Sequence, residues 1–189
     1  METKRNFNGK VADLMSARMD VYTNFGDRWG DGKRSFNIIP TASDLKALKE
    51  AGWPVKTREC EDGDIPIEYV TVKFRFWPKR DDGSKDSRTP NIFVVTFNDG
   101  KKKITSKNQL TAGEIDRFSS SDIDYVDARI SRRDFNFAGK RGQTVDLVSI
   151  YIVLKENPLF SKWGLPEEFN DFQMDVTDGD VEGSDPLPF

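Results

Sequence analysis

The stretch Glu68-Tyr69-Val70-Thr71-Val72-Lys73-Phe74-Arg75-Phe76-Trp77 decides how this chain is read. On an extended backbone Val70, Val72, Phe74 and Phe76 fall on one side and Tyr69, Thr71, Lys73, Arg75 and Trp77 on the other, the period-two pattern of a half-buried strand. The apolar side reads as core. The other side carries two cations among aromatics, and Lys79 and Arg80 prolong it beyond Pro78.

Outward from this strand the same chemistry recurs. The loop Asp81 to Pro90 leads into an apolar strand, Asn91 to Asn98, and Asn98-Asp99-Gly100 turns it into Lys101 to Thr105, a hairpin signal. Upstream, Val11 to Phe25 reads as a first strand with an irregular middle. Gly26, Gly30 and Gly32 then form a loop holding Arg28, Trp29, Lys33 and Arg34, before the short strand Phe36 to Ile39. Thr41 caps a helix over Ala42 to Ala51, with Leu45 and Leu48 at helical spacing and Gly52 as its stop; Trp53 follows and packs that helix against the sheet. Leu110 to Phe118 reads as a short helix. Ile123 to Phe137 and Gln143 to Leu154 read as strands around a glycine-bounded turn, Ala138 to Gly142, and Pro158 to Trp163 as a closing turn of helix. The expected fold is therefore mainly β with one or two short helices, an OB-fold-like, partly open barrel; a β-sandwich shares the same local signals.

Charge divides the chain. All 29 Lys and Arg precede Pro166, whereas residues 167 to 189 hold eight acids and no base, leaving a body with 24 acids and a net charge of +5. Such a segment cannot bury enough apolar surface to order itself, so 1–166 is expected to be the domain and 167–189 a flexible acidic tail. The lone Cys60 excludes an internal disulfide and suits a reducing compartment. No apolar run is long enough for a membrane span or a signal peptide, so the expected location is cytoplasmic.

The absence of histidine removes Ser-His and Cys-His nucleophile pairs and imidazole ligation. Carboxylate-only metal chemistry survives as a distant nuclease reading. Asp178-Gly179-Asp180-Val181-Glu182-Gly183 imitates the start of a calcium loop, but Phe189 stands where the closing acid belongs. No catalytic residue, metal or cofactor is expected.

Cations beside flat side chains are what non-specific binding of a single nucleic-acid strand requires, since every base offers a π-face. Three groups supply them: Arg28 and Trp29; Lys73, Arg75, Trp77, Lys79 and Arg80; and Arg132, Arg133, Phe135, Phe137, Lys140 and Arg141. The final residues Asp185, Pro186, Leu187, Pro188 and Phe189 set apolar anchors and a free carboxylate at the end of the acidic segment, a form suited to capture by a basic-rimmed pocket.

That terminus resembles the acidic tip of bacterial and phage single-stranded DNA-binding proteins. Gly52 to Lys56, Pro90 to Thr96 and Arg132 to Phe135 resemble stretches of the replicative members from tailed phages. The resemblance implies an OB-fold, binding of DNA in a strand groove, no enzymatic activity, and a tail that recruits replication or recombination proteins. A homo-oligomer is compatible with the sequence. The competing expectation is an adaptor or DNA mimic whose acidic tail occupies a partner's nucleic-acid site.

Overall fold

The computed structural model describes residues 7, 9–20, 32–60, 65–98, 101–104, 115 and 122–155. Within them lie β1 (Val11–Met19), β2 (Lys33–Ile39), α1 (Ala42–Glu50), β3 (Lys56–Arg58), β4 (Ile67–Arg75), β5 (Asn91–Asn98), β6 (Lys101–Ile104), β7 (Ile123–Phe137) and β8 (Lys140–Leu154).

The strands follow the order β3-β4-β2-β1-β7-β8-β5-β6, and a further pairing joins β4 to β8. That pairing bends β4, β2, β1, β7 and β8 into a five-stranded ring. Four of its seams are antiparallel; the closing one is parallel and spans only Val72↔Val145 and Lys73↔Asp146. A five-stranded barrel held shut along so short a seam is the partly open architecture of the OB-fold. β5 then extends the sheet beside β8, and β6 forms the expected hairpin with β5.

The core follows from strand alternation. Phe36, Ile38, Val70, Val72, Phe74, Val145, Ile150 and Ile152 point inward, joined by Leu14, Val126 and Ile130. Phe74 meets Phe36 and Phe76 edge to face, with ring centroids 5.8 and 5.7 Å apart. Helix α1 adds Leu48 to this core, with Ala47 and Ala51 packed against it. Its Thr41 Oγ1 accepts the Asp44 N–H, and at the other end Gly52 and Trp53 donate back to Lys49 and Leu48. Trp53 is buried, and its Nε1 donates to the Phe7 carbonyl at 2.9 Å, so its packing role is as expected.

Several boundaries depart from the sequence reading. β4 ends at Arg75, because Phe76 and Trp77 leave the ladder before Pro78. Lys33 and Arg34 belong to β2 and not to the preceding loop. β1 stops at Met19, where Asp20 turns its buried carboxylate to Arg58 at 2.7 and 3.1 Å and anchors the unforeseen strand β3. The turn after β7 contains only Ala138 and Gly139, both at positive φ, so Lys140, Arg141 and Gly142 are strand residues. In the expected helix 110–118 only Ile115 is described, helical and buried. The segment 158–163 lies outside the described residues.

The irregular middle of β1 is a bulge: Met15 and Ser16 together oppose Asp127, and Ser16 adopts φ 53°. The bulge takes the Ser16 N–H out of the ladder, and Asp127 Oδ1 accepts it at 2.7 Å. Asp127→Ala should therefore cost roughly 1–3 kcal/mol of stability by stranding that donor, and Asp127→Asn, which keeps an acceptor oxygen, clearly less. Denaturant midpoints of the two variants check this; equal losses would trace the effect to charge and not to the amide.

Candidate nucleic-acid interface

The face of β2 and β4 turned away from the core lines a groove of about 810 Å³ that runs to the β4–β8 seam. Register explains its contents. Lys33 pairs with Arg75 and Ser35 with Lys73, so these four side chains share the outer face, while Arg34 and Phe74 pair on the inner one. Arg34 is buried with its guanidinium 5.6 Å from the Phe76 ring. Across the seam, Ser131 faces Asp146 and Arg133 reaches it with two hydrogen bonds of 2.8 and 3.2 Å. Asp146 raises the Arg133 pKa, chiefly through those bonds. Val148 is the extra residue of a bulge in β8, which turns it out into the same groove.

The loop after β4 folds over one end of the groove. Thr89 Oγ1 accepts the Trp77 N–H at 2.9 Å, and Arg88 lies against the Trp77 ring, its guanidinium carbon 3.7 Å from the centroid. Arg75 approaches the same ring at 4.8 Å. Asp86 grips Arg88 through Nε at 2.9 Å, Nη2 at 2.8 Å and the backbone N–H at 2.8 Å. Those bonds, the side-chain ones first, hold the Asp86 carboxyl well below the usual carboxylate range. The pair thus stays ionised at every pH above that of ordinary carboxylate protonation.

Lys73, Arg75, Trp77 and Arg133 are accordingly brought together. Beyond the barrel, β7 and β8 continue as a two-stranded ribbon that carries Phe135 and Phe137, 43% and 80% exposed, on the Arg133 face, with Lys140 opposite Phe137. Arg132 and Arg141 fall on the opposite face by register. Arg132 ties the sheet to the end of α1, donating to the Ala51 and Gly52 carbonyls at 2.8 and 3.1 Å above the Trp53 ring. Lys79 and Arg80 are exposed in the loop and do not line the groove, Arg80 reaching Ser87 at 3.3 Å. Arg28, Trp29 and the terminal Asp185 to Phe189 lie outside the described residues.

Ser35, Arg88, Ser131 and Asp146 escaped the sequence reading, and Lys33 was seen only as a loop cation outside the expected site. Alternation from Lys33 to Ile39 was the available signal for Lys33 and Ser35; Arg88 had none, since a loop residue is placed by its partners. Among the described residues no cluster of three His, Cys, Asp or Glu is arranged to hold a metal ion, and no helix is long and apolar enough to cross a membrane. Among the described residues five cations, Lys33, Lys73, Arg75, Arg88 and Arg133, line the groove against Asp146, with Asp86 behind Arg88, and make it an anion-attracting surface.

The family model described as phage ssDNA-binding domain matches residues 10–187. No curated protein matches the sequence. Among solved structures the chain is similar to gp2.5, a single-stranded DNA-binding protein encoded by bacteriophage T7, with 14% identity over 90% of this chain and 97% of that one and a TM-score of 0.42. It is also similar to the single-stranded DNA-binding protein from bacteriophage Enc34, at 11% identity, 84% of this chain, 89% of that one and a TM-score of 0.48. A C-terminal truncation of the Enc34 protein gives 10% identity, 84% and 95% coverage and a TM-score of 0.47.

Phe135 owes its position to Gly142, the residue directly opposite: a Cβ there would stand 2.6 Å from the ring Cζ. Gly142→Ala should push the ring off β8 while the ribbon's backbone pairing persists. Ring resonances of Phe135 should shift strongly against unchanged amide resonances nearby; an unmoved ring would refute this account of the site.

Proposed function

The chain belongs to the phage single-stranded DNA-binding domain family, and from that membership we propose that it binds single-stranded DNA with little sequence preference along the β2–β4 groove. The observation that carries this reading is the register that sets Lys33, Lys73 and Arg75 on one outer face and continues it across the seam to Arg133, Phe135 and Phe137. The β2–β4 face takes the position of the second and third barrel strands, which OB-folds use for oligonucleotides. Cations follow the phosphates, and the ribbon's phenyl rings stack on bases of any identity. The chain acts by binding, without catalysis, in the host cytoplasm. Titration of the full chain with labelled single-stranded DNA, duplex DNA and RNA tests the reading. Tightest binding to single-stranded DNA supports it, equal affinity for duplex overturns it, and magnesium-dependent loss of the probe indicates a nuclease instead.

The proposed division of labour places DNA binding in residues 1–166 and recruitment of replication or recombination proteins in 167–189. Eight acids without a base make the second segment a competitor for the basic groove, and the Phe189 ring is its anchor for a partner.

Removing 167–189 changes the formal charge from -3 to +5. The truncated chain should bind single strands more tightly, with a gain that shrinks as salt rises. Removing Phe189 alone should leave DNA affinity unchanged and weaken capture of replication proteins on coated DNA. Weaker DNA binding by the folded truncated chain would assign the acidic segment to the DNA site and end the competitor model.

A further inference from the structure

Among the described residues Trp77 is the one indole lining the groove, and an indole beside cations invites the reading that a base stacks on it. Its surroundings argue otherwise. The Arg88 guanidinium carbon, 3.7 Å from the ring centroid, is at van der Waals contact and occupies one face on which a base would stack. A second guanidinium, that of Arg75, crowds the ring at 4.8 Å. Both distances fall within the range of cation–π attraction.

Moving Arg88 aside is costly in bonds. It is held to Asp86 by two side-chain hydrogen bonds and one from its backbone, Asp86 is itself buried, and Thr89 from the same loop holds the Trp77 backbone. Loop and indole are one unit. Yet Arg88 is not used up: a guanidinium carries five N–H donors, Asp86 takes those of Nε and one on Nη2, and the side chain remains 61% exposed.

We propose that Trp77 serves as the post against which Arg75 and Arg88 are held to bind a backbone phosphate, and not as a platform for a base. The inference rests on the single-strand-binding reading above and deepens it, because it assigns the ligand group met at this end of the groove. Stacking orients a guanidinium without consuming its in-plane donors, and a phosphate accepts from two such planes at once.

Salt dependence separates the two roles. On single strands each phosphate contact contributes about 0.7 to the slope of log affinity against log salt. Binding of an oligothymidylate by the full chain is measured across a salt series for the wild type, Trp77→Ala, Trp77→Phe and Arg88→Ala. For Trp77→Ala the slope should fall in magnitude by roughly 0.7 to 1.4, one or two contacts, so its deficit is largest at low salt and narrows as salt rises. Trp77→Phe, which keeps a π-face, should retain most of the slope. Arg88→Ala should weaken binding with a smaller slope; it frees Asp86 and loosens the loop, but the side chain is 61% exposed and outside the apolar core, so the barrel should stay folded and the test stays decisive should Trp77→Ala fold poorly.

Three results would overturn the proposal. One is a loss in Trp77→Ala of the same factor at every salt concentration, another is no loss in either variant, and the third is tighter binding by Arg88→Ala, which would mean that Arg88 shields the ring from bases. Failure of the unaltered chain to bind the oligothymidylate would instead sink the parent reading, and this one with it.

Discussion

The short parallel seam between β4 and β8 is the constraint on which the rest of the molecule depends. It contains two residue pairs, and each does a different job. Val72 and Val145 point inward and complete the apolar lining of the barrel. Lys73 and Asp146 point outward as neighbours across the seam, and Asp146 holds Arg133 in place on the far wall of the groove. Without the seam the β2–β4 sheet and the β7–β8 hairpin are two separate surfaces. With it they are one face, bearing cations on both sides and aromatic rings along its extension.

How much of this could be read from the sequence follows from what alternation can and cannot encode. The split of β4 into an apolar and a basic side was legible because period two is local, and the structure places Val70, Val72 and Phe74 inward and Lys73 and Arg75 outward accordingly. The same rule bears on Arg132 and Arg133: adjacent residues of a strand cannot share a face, so one of the two had to leave the groove, and Arg132 went to the end of α1. Which one left was set by pairing with β8, a long-range fact. The five-residue turn was misjudged because Gly142 looked like turn punctuation, whereas it is the flat place on β8 over which Phe135 lies.

Trp77 marks the limit of such reading. Its parity with Lys73 and Arg75 was correct, but the strand ends before it, and the company it keeps comes from the loop that follows. Asp86, Arg88 and Thr89 form no periodic pattern and lie in a stretch that sequence describes only as polar. Their arrangement depends on hydrogen bonds that Asp86 makes to two different parts of Arg88, a closure visible only once the loop is folded. Phe135 and Phe137 share a face by period two alone; what lies opposite them, Gly142 and Lys140, required the register.

The β1 bulge has a bearing on how the molecule comes to exist in time. Ser16 and Asp127 are 111 positions apart, and the neighbouring ion pair Asp13–Arg129 spans 116. Chains whose native pairings are so remote in sequence fold slowly, because loop closure must be met before the pairing returns anything. β7 and β8, joined by two residues, can zip on the microsecond scale of hairpins and wait for β1. The aromatic ribbon is thus a local object in sequence, whereas the basic trough it adjoins is built on pairings between distant strands.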